Sequence, residues 1–291
     1  MKILVTGAYG QLGNEIKDLS ENYPDFRFIF TDVDTLDIAD ENQVSRFFER
    51  EKPEMVVNCA AYTAVDKAET EMEAAQKVNT TAPALLAKYT RLHNSGFIHI
   101  STDYVFNGKS FIPYNETDPV QPETVYGKTK LAGENFILSS ESKAVIIRTS
   151  WLYSTYGNNF VKTMLRLGTE RDLLKVVFDQ VGTPTYAADL AKTVLSVASV
   201  YEKEPEKFEP GVYHFSNEGV ASWFDFAKAV FEFSGLNCNV LPVLSDEFLT
   251  TAKRPHYSVL NKSKIKSTFN LEIPYWKDSL KKCIEKLQKT E

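Results

Sequence analysis

The sequence has little of what a disulfide framework or a metal site requires. It has three cysteines and four histidines, and neither set shows a metal-ligand spacing such as H-E-x-x-H. These residues are Cys59, Cys238 and Cys283, and His93, His99, His214 and His256. A scattered, odd set of cysteines is typical of reduced thiols. We therefore expect a cytoplasmic protein, and the sequence predicts no metal site.

Long apolar runs and an excess of basic residues are also missing. The N-terminal segment MKILVTG is far too short for a signal peptide or a membrane span. The formal net charge is -6, whereas binding to the phosphates of a nucleic acid requires a basic face. Neither a membrane nor a nucleic acid is therefore an expected partner. A local cluster of donors would still be enough to bind an anionic small molecule.

What the sequence does contain is a regular alternation of β-rich and helical segments in its first half. Short apolar runs predict strands at 2–6, 26–31, 55–58, 96–101 and 144–150. Helices are expected to begin near Gln11, Glu41, Glu71 and Glu123. Asp40 followed by Gln43 is a capping-box pattern for the second helix. Because alternating strands and helices pair in parallel, the pattern predicts a Rossmann-type, doubly wound α/β sheet.

The alternation loosens after residue 150. Helices are predicted at 158–168, 185–203 and 222–235, and a strand at 211–216. The last of these helices has Ser222 as N-cap, Asp225 to complete a capping box and Gly235 as a stop signal. We expect 1–150 to form a dinucleotide-binding domain to which 185–216 returns. The segments 151–184 and 217–291 would then form a smaller mixed α/β lobe for the substrate, over the carboxyl ends of the strands.

The first predicted strand runs directly into a glycine-rich turn, TGAYGQLG, which leads into a helix. Gly7 permits the tight turn, Gly10 lets the backbone approach a pyrophosphate, and Gly13 lets the helix pack on the strand. The helix N-terminus, with Gln11 and Leu12 in its first turn, offers free N–H groups to phosphates. A plain strand-to-helix turn is the alternative, but the position at the start of an α/β pattern favours dinucleotide binding.

Asp32 ends the second predicted strand and is the candidate for the adenosine ribose. A carboxylate there accepts from the ribose hydroxyls and repels a 2′-phosphate, so the cofactor is NADH or NADPH with NADH preferred. An ordinary turn aspartate in TDVDTLDIAD is the alternative. Further cofactor contacts are expected from Asp37, Ile38, Ala60, Ala61 and Tyr62. The acidic run 66–73 is interpreted as a solvated helix face without a catalytic role.

The stretch TVYGKTKLAGE places Tyr126 and Lys130 one turn apart on one face of a predicted helix. A phenol can give a proton to a carbonyl oxygen, but its usual pKa is about 10. An ammonium one turn away stabilises the phenolate and lowers that pKa. Ser101 and Thr102 end the fourth predicted strand, where a hydroxyl can bind the substrate oxygen. Tyr-x-x-x-Lys also occurs by chance in helices, but the whole set indicates that Tyr126 and Lys130 are catalytic.

Several motifs, in this order, resemble those of the extended short-chain dehydrogenase/reductase family: TGAYGQLG, NCAAYTAVDKAE, STDYVFNG, VYGKTKLAGE, RTSWLY and NNFVKTML. Within it they are similar to the dTDP-4-dehydrorhamnose reductases over nearly the whole chain. The resemblance implies a triad of Thr102, Tyr126 and Lys130. It also implies that a dTDP-sugar is the partner, and that the 4-keto group of dTDP-6-deoxy-L-lyxo-4-hexulose is reduced by NADH or NADPH.

The same resemblance implies a set of substrate contacts: Thr63, Val65, Thr102, Asp103, Tyr104, Trp151 and Arg254. Trp151 follows the fifth predicted strand, where an aromatic face suits a sugar ring. Alternatively, Trp151 and Tyr153 simply fill the gap between the lobes. Lys253 and Arg254 lie in a predicted loop, and an arginine fork suits a diphosphate. A solvated pair of loop residues is the alternative for these two.

One feature departs from the resembling family. Some of its members dimerise through magnesium held by glutamates, and Glu15 matches one of these. When GTPTYAADLA is aligned with the corresponding family motif, Ala188 occupies the position of the second glutamate. The C-terminal tail is also short. Magnesium-bridged dimerisation is therefore doubtful for this chain, and we expect a monomer or a homodimer.

Three other functions share parts of the pattern. Nucleotide-sugar 4-epimerases and 4,6-dehydratases have the same tyrosine, lysine and glycine turn. A dehydratase of this superfamily usually carries Asp then Glu after the threonine, whereas Asp103 is followed here by Tyr104. The third is a non-catalytic regulatory subunit with this fold, like that of methionine adenosyltransferase. Retention of all three triad residues makes it the weaker hypothesis.

Overall fold

The computed structural model describes residues 1–248 and 250–289. Its strands are β1 (Lys2–Thr6), β2 (Arg27–Thr31), β3 (Met55–Asn58), β4 (Gly96–Thr102), β5 (Lys143–Thr149), β6 (Leu152–Tyr153), β7 (Leu173–Val177), β8 (Val181–Gly182), β9 (Thr185–Tyr186), β10 (Gly211–His214), β11 (Ala221–Ser222) and β12 (Asn239–Val243). Its helices are α1 (Gln11–Leu19), α2 (Glu41–Glu51), α3 (Val65–Ala68), α4 (Met72–Gln76), α5 (Ala82–Leu92), α6 (Val125–Ser139), α7 (Phe160–Glu170), α8 (Ala187–Lys203), α9 (Trp223–Ser234), α10 (Ser263–Phe269) and α11 (Trp276–Gln288). A π-helical turn, Lys77–Thr81, joins α4 to α5. Among the described residues, no helix combines the length and the apolar character that crossing a membrane requires.

Six strands form one sheet in the order β10-β5-β4-β3-β1-β2, and every neighbouring pair is parallel. The strand order reverses at β1, which pairs with β2 on one side and β3 on the other. At the carboxyl ends, the register aligns Thr6 with Asn58, Asn58 with His99, and Thr102 with Thr149. The predicted doubly wound α/β fold is confirmed, and its polar strand ends meet along one edge.

Helices cover both faces of the sheet, and an apolar cluster holds each layer. On one face, Ile16 of α1 and Leu190 of α8 pack against the strands. On the other face, Phe48 of α2, Leu86 of α5 and Ile137 of α6 do the same. Full burial of such a side chain contributes about 1.5–3 kcal/mol, so these two clusters are the main source of the sheet's stability.

Helix α6 packs closely against its neighbours because two of its residues are glycines. A Cβ on Gly127 would lie 2.3 Å from the carbonyl oxygen of Tyr104. A Cβ on Gly133 would lie 2.2 Å from the carbonyl oxygen of Asn79 in the π-helical turn. Neither distance leaves room for a side chain. Tyr126 and Lys130, the two residues predicted to be catalytic, lie on either side of Gly127 on the same helix.

A buried ion pair also fixes α6 to the sheet. Arg148 on β5 donates from Nη2 to Glu134 Oε2 at 2.6 Å. Ser101 at the end of β4 donates to the other oxygen of the Glu134 carboxylate. Both charged side chains are almost fully buried. Because loss of either partner would leave a buried charge uncompensated, this pair holds α6 in one position.

The segment 185–216 lies against the large sheet. Helix α8 packs against the same face as α1, and β10 pairs in parallel with β5. The boundaries differ from the prediction, because Thr185 and Tyr186 form the short strand β9 before the helix and the strand ends at His214. The division of the chain into a cofactor-binding domain and a substrate lobe stays a prediction.

Residues predicted from the sequence to cap helices do so in the structure. Ser222 and Asp225 form the reciprocal capping box of α9, and Gly235 ends that helix with φ 71. Asp40 caps α2 by accepting from the backbone N–H of Gln43. The side chain of Gln43 donates to the Asp40 carboxylate instead of binding the Asp40 backbone, so only half of the predicted box forms.

The remaining elements form a smaller lobe. Three short strand pairs, β7–β12, β6–β9 and β8–β11, are accompanied by α7, α9 and α11. Phe226, Trp276 and Leu280 are buried in its apolar core. This lobe meets the large sheet at the carboxyl ends of the strands, where Trp151 and Trp223 line the same cleft as the glycine turn.

Candidate active site

A cleft of about 800 Å³ opens along the carboxyl ends of the central strands, beside the point where the strand order reverses. Its wall includes the turn between β1 and α1, the ends of β3, β4 and β5, and the first residue of α9. In open α/β sheets, ligands bind in the crevice at this position. The volume lies within the usual range for small-molecule sites.

The glycine turn forms part of this wall. Gly7 has φ 67, and a Cβ there would lie 2.6 Å from the backbone nitrogen of Ala60, so only glycine fits. Gly10 is the N-cap of α1, and no described side chain caps the helix, so the first N–H groups remain available. A Cβ on Gly13 would lie 2.5 Å from the Gly7 carbonyl oxygen. The turn therefore fits the phosphates of a dinucleotide, in a space that a larger side chain would fill.

The carboxylate of Asp32 connects the glycine turn to the end of β2. Its Oδ2 accepts from the backbone N–H of Tyr9 at 2.9 Å, and its Oδ1 accepts from that of Val33 at 2.9 Å. Asp32 also lines the cleft. Because each carboxylate oxygen has a second lone pair, the group can still accept from a ribose hydroxyl.

Asp37 lines the cleft next to Ile38 and carries its own counter-ion. Lys77 in the π-helical turn donates to Asp37 Oδ2 at 2.9 Å, and this bond is the main reason that the pKa of Asp37 is lowered. The sequence analysis did not identify Lys77. It supplies a positive charge beside a residue that was predicted to contact the adenosine end of the cofactor.

Most of the segment after β3 lies along the cleft, but the side chain of Tyr62 does not. Ala60, Ala61, Thr63 and Val65 all line the cleft. The phenol of Tyr62 instead donates to the Glu71 carboxylate at 2.5 Å. Its side chain is therefore engaged with the helical segment, and it is absent from the described residues that line the cleft.

Tyr126 lies in the first turn of α6 and is buried at the cleft. Burial raises the pKa of Tyr126 to about 12, a hydrogen bond with Thr102 acts in the lowering direction, and the charge of Asp103 adds to the rise. Lys130 was expected to lower this pKa, but burial raises it and Lys130 is not among the groups that shift it. A raised pKa keeps the phenol protonated, which is the form that a proton donor requires.

Lys130 is only 1% exposed, and its amine contacts β4. Nζ donates to the carbonyl oxygen of Ile100 at 2.7 Å and lies 3.2 Å from His99 Nε2. Burial lowers the pKa of Lys130 to about 8, against the opposing charge of Glu134. Because the amine is engaged with β4, Lys130 is not among the groups that shift the pKa of Tyr126.

The two hydroxyls at the end of β4 have different partners. Ser101 is bound to the buried Glu134 carboxylate. Thr102 Oγ1 accepts from the backbone N–H of Tyr104 at 3.2 Å and donates to Asp103 Oδ1 at 3.0 Å. Thr102 is therefore the better placed of the two to contact a ligand oxygen, since its hydroxyl also reaches Tyr126.

Asp103 lines the cleft, but one oxygen of its carboxylate is shielded from solvent. This Oδ2 is buried and has no partner at hydrogen-bonding geometry among the described residues. Burial raises the pKa of Asp103 to about 7, and the hydroxyls of Thr102 and Ser258 act in the lowering direction. Burial therefore favours the protonated form of this carboxyl group.

Two tryptophans, one from the loop after β5 and one from α9, stack beside the cleft. The ring centroids of Trp151 and Trp223 are 3.6 Å apart with an interplanar angle of 11°. Trp151 has φ 48, which is rare for a bulky residue, and Gly182 packs closely against its ring. The ring of Trp151 lines the cleft and packs against the apolar core of the smaller lobe, and its role as a sugar contact stays a prediction. Trp223 was missed, because no local pattern distinguishes it from an ordinary helix residue.

Arg254 and Lys253 form ion pairs at the surface loop. Arg254 binds the Asp66 carboxylate with two nitrogens, at 2.7 Å and 3.3 Å, and the backbone N–H of Ala252 donates to the same group. Lys253 pairs with Glu123 at 2.9 Å. The acidic run was interpreted as solvated, but Asp66 holds this loop. Arg254 is not among the described residues that line the cleft.

The structure brings most of the predicted residues together in one cleft. Those in its wall are Gly7, Gly10, Gln11, Leu12, Asp32, Asp37, Ile38, Ala60, Ala61, Thr63, Val65, Thr102, Asp103, Tyr104, Tyr126, Lys130 and Trp151. Those not in its wall are Gly13, Tyr62 and Arg254. Lining residues that the sequence analysis missed include Thr6, Tyr9, Cys59, Asn158 and Trp223.

Glu15, the residue matched to a magnesium ligand, lies away from these groups. It is buried in α1, where it accepts from Ser154 Oγ at 2.5 Å, and the Lys286 ammonium lies 3.6 Å from it. Burial raises the pKa of Glu15. Among residues 1–248 and 250–289, no group of three or more histidine, cysteine or acidic side chains could hold a metal ion.

Comparison with known proteins gives one consistent family. The family described as "RmlD substrate binding domain" matches residues 1–289. The chain is 40% identical over 288 residues to a dTDP-4-dehydrorhamnose reductase of Aggregatibacter actinomycetemcomitans, covering 96% of this chain and 97% of that one. It is also 40% identical over 285 residues to the spore coat polysaccharide biosynthesis protein SpsK of Bacillus subtilis (strain 168), covering 98% and 97%.

Solved structures agree with this. A crystal structure of a dTDP-4-dehydrorhamnose reductase from Clostridium acetobutylicum ATCC 824 superposes with a TM-score of 0.93 at 45% identity, covering 99% of this chain and 100% of that one. A dTDP-4-dehydrorhamnose reductase from Bacillus anthracis str. Ames, solved in complex with NADP, gives a TM-score of 0.91 at 38% identity, covering 98% and 99%.

Proposed function

The chain belongs to the RmlD substrate binding domain family of dTDP-4-dehydrorhamnose reductases, and we propose that it reduces the 4-keto group of dTDP-6-deoxy-L-lyxo-4-hexulose to give dTDP-L-rhamnose. It is an NAD(P)H-dependent oxidoreductase. One observation carries the proposal. Thr102, Tyr126 and Lys130 line the same cleft as a glycine turn that fits a dinucleotide.

The proposed chemistry divides hydride and proton between cofactor and protein. A bound reduced nicotinamide supplies a hydride to the carbonyl carbon. Tyr126 donates its phenolic proton to the carbonyl oxygen, so the ketone becomes a secondary alcohol and the phenol a phenolate. The charged form of Lys130 stabilises that phenolate, and a proton from solvent restores the phenol. Thr102 donates a hydrogen bond to the keto oxygen and so orients the carbonyl.

The cofactor contacts follow from the wall of the cleft. Backbone N–H groups at Gln11 and Leu12 would bind the pyrophosphate, with Gly7 and Gly10 allowing its close approach. Asp32 would accept from the adenosine ribose. The remaining proposed cofactor contacts in the wall are Asp37, Ile38, Ala60 and Ala61, and Lys130 would bind the nicotinamide ribose.

The substrate contacts are proposed on the other side of the cleft. Asp103 lines this side of the cleft and would contact a sugar hydroxyl, and the stacked rings of Trp151 and Trp223 form an apolar wall for the sugar ring. Thr63, Val65 and Tyr104 complete this set. Arg254 is held by the Asp66 carboxylate, and its contact with the diphosphate would use the guanidinium N–H groups that Asp66 does not engage.

We further propose that the enzyme works in the cytoplasm as a monomer or a homodimer, with a dTDP-sugar and not a nucleic acid as its partner. The net charge of -6 supports the last point. Size-exclusion chromatography with light scattering would decide between the two oligomeric states. Fractionation of the producing cells would test the location.

The decisive experiment supplies the purified protein with dTDP-4-keto-6-deoxyglucose, a 3,5-epimerase and NADH or NADPH. We expect stoichiometric oxidation of the cofactor and formation of dTDP-L-rhamnose, identified by nuclear magnetic resonance. A product that differs at C4 would assign the chain to another sugar within the same chemistry. Interconversion of sugars without net consumption of cofactor would indicate a 4-epimerase instead. Tight capture of a partner enzyme without turnover would indicate a regulatory subunit.

A further inference from the structure

Behind the catalytic pair, four buried polar side chains form a hydrogen-bonded chain across β1, β3, β4 and α6. Thr6 Oγ1 lies 2.7 Å from Asn58 Oδ1, Asn58 Nδ2 lies 3.1 Å from His99 Nδ1, and His99 Nε2 lies 3.2 Å from Lys130 Nζ. Thr6 and Lys130 are 1% exposed, and Asn58 and His99 are 0% exposed. Polar groups buried to this degree cost free energy unless they are paired, so their arrangement restricts each group to one role.

The backbone decides which end of Asn58 faces His99. The N–H of Ala60 lies 3.1 Å from Asn58 Oδ1, and an N–H can only donate. The amide oxygen is therefore directed to Ala60 and the amide nitrogen to His99. Asn58 then donates to His99 Nδ1. A neutral imidazole whose Nδ1 accepts a hydrogen bond carries its own proton on Nε2.

The imidazole is held in that neutral form. Burial, reinforced by the charge of Lys130, lowers the pKa of His99 well below its usual value. The Nε2–H of His99 is therefore directed at the Lys130 amine. An ammonium has only donors, so two donors would face each other across this contact. An uncharged amine has a lone pair that accepts from Nε2–H, and it can still donate to the Ile100 carbonyl oxygen at 2.7 Å.

The other charged and titratable groups around the amine are few. Glu134 on α6 favours the ammonium, but its own charge is paired with Arg148. Tyr126 lies one turn away on α6 and stays protonated, and Asp103 lies beyond it. His99 is the group on β4 that faces Lys130 directly. Its effect on the amine adds to that of burial, which also favours the uncharged form.

We propose that His99, fixed by Asn58 with its proton on Nε2, is a positioning residue that holds the Lys130 amine at the cleft and favours its uncharged form. The proposal rests on the proposed function only in that Lys130 acts on the cofactor ribose and on Tyr126. This contact sets the upper pH limit of the enzyme, because only the ammonium form of Lys130 binds the nicotinamide ribose and stabilises the Tyr126 phenolate.

The test is the pH dependence of NADH binding and of kcat/KM in the wild type and in His99→Leu. We expect both quantities to decline above about pH 8 in the wild type, the pKa that burial gives Lys130. Without the opposing N–H, the ammonium persists to higher pH, so the decline should move upward by about one pH unit in the variant. Asn58→Leu keeps the imidazole but frees its tautomer, and it should move the decline in the same direction.

A matched control separates this effect from general damage to the sheet. His214 is also 0% exposed and lies on β10 of the same sheet, but its Nδ1 faces the carbonyl oxygen of Tyr114. His214→Leu should lose stability without moving the pH limit. In Lys130→Met, the decline of NADH binding above about pH 8 should be absent. An unshifted limit in both His99→Leu and Asn58→Leu would overturn the proposal.

A second measurement does not depend on any variant folding. The nitrogen chemical shifts of the His99 imidazole in the wild type report which nitrogen carries the proton, and a proton on Nδ1 would overturn the proposal. Neither this measurement nor NADH binding needs the sugar. If the protein does not reduce the dTDP-4-keto sugar, the His99 nitrogen chemical shifts and the upper pH limit of NADH binding can still be as described. In that case only the proposed function is wrong.

Discussion

Burial disfavours the charged forms of both Tyr126 and Lys130 in the cleft. Burial raises the pKa of the phenol to about 12 and lowers that of the amine to about 8. Charge separation within the pair must therefore come from bound groups that replace the lost hydration. This explains why a pair of residues that is common in helices can be catalytic only where the cleft, the strand ends and the cofactor meet.

The first prediction concerns the phenol itself. Tyr126→Phe removes one oxygen and no packing surface, so the fold and the affinity for NADH should be retained. Turnover of the dTDP-4-keto sugar should fall on the order of a hundredfold or more, as for loss of a general acid. Steady-state kinetics and cofactor titration check this. Near-normal turnover in the variant would rule out Tyr126 as the proton donor.

Thr102 should contribute to turnover through its hydroxyl group and not through the packing of its side chain. Thr102→Val should reduce kcat on the order of tenfold to a thousandfold, because an orienting donor is lost from the transition state. Thr102→Ser should keep most of the activity. Ser101→Ala is the neighbouring control, since that hydroxyl binds Glu134 and its loss should mainly lower stability. Equal damage from both substitutions of Thr102 would indicate a packing role.

Asp32 should bias the cofactor choice towards NADH. A 2′-phosphate about 4 Å from the carboxylate would be repelled by roughly 4 kcal/mol at a surface-like dielectric, less in a wet site. Lys77, paired with Asp37, offers some compensation on this side of the cleft. We therefore expect Asp32→Ala to reduce the preference for NADH over NADPH, mainly by improving NADPH binding.

The measurement for Asp32 is kcat/KM with each cofactor. Asp32→Asn is the matched variant, because it keeps an acceptor for one of the two backbone N–H groups that the carboxylate binds. The dTDP-4-dehydrorhamnose reductase from Bacillus anthracis str. Ames was solved in complex with NADP, so that relative accepts the phosphate. Strong preference of the wild type for NADPH would mean that Asp32 does not control the choice.

At the scale of elements, α6 is the part whose position the chemistry depends on most. Close backbone contacts at Gly127 and Gly133, the Glu134–Arg148 ion pair and the bond from Thr80 to the carbonyl of Thr129 all restrict its movement. A helix held by backbone contacts cannot shift without breaking several of them. Its side chains therefore remain aligned with the ends of β4 and β5.

Gly133→Ala tests this directly. Alanine favours a helix over glycine by about 1 kcal/mol, but its Cβ would lie 2.2 Å from the Asn79 carbonyl oxygen. Overpacking of this kind typically costs 1–3 kcal/mol, so we expect net destabilisation and a fall in kcat as α6 shifts. Urea unfolding and kinetics measure both. The exposed Lys128→Ala on the same helix is the control and should change neither by much; a stabilised Gly133→Ala would contradict the packing argument.

At the scale of the whole molecule, the buried titratable groups make stability depend on pH. The folded-state pKa of Asp103 is raised to about 7, so the folded state binds more protons than the unfolded chain between about pH 4 and pH 7. The contribution of Asp103 to stability therefore falls as pH rises through that window. Lys130 acts in the opposite sense above pH 8, because its folded-state pKa is lowered.

Asp103→Asn isolates this contribution. Three pKa units correspond to about 4 kcal/mol at most, so the variant should gain stability relative to the wild type as pH rises from 4 to 7. Urea unfolding at a series of pH values gives the difference in the free energy of unfolding between the variant and the wild type. The contributions of the buried histidines cancel in this difference, because both proteins contain them. A difference that is flat with pH would show that Asp103 titrates normally.

The sequence alone determined the features that depend on local spacing. Strands covered on both faces are apolar throughout, and this pattern together with the alternation of helices was enough for the doubly wound sheet. The glycine turn, the caps of α9 and the helical spacing of Tyr126 and Lys130 are equally local. Each is set within a few residues, where backbone geometry fixes which groups share a face.

Only the tertiary structure decided which groups meet across long separations in the chain. Trp223 of α9 stacks on Trp151, which follows β5, and Arg254 binds Asp66 instead of lining the cleft. His99 meets Lys130 because strand register and the packing of α6 bring them together. Burial, too, is a property of the folded state, and it reversed the expected shift in the pKa of Tyr126. Local spacing cannot encode these outcomes, because desolvation and pairing depend on what the rest of the chain places around each group.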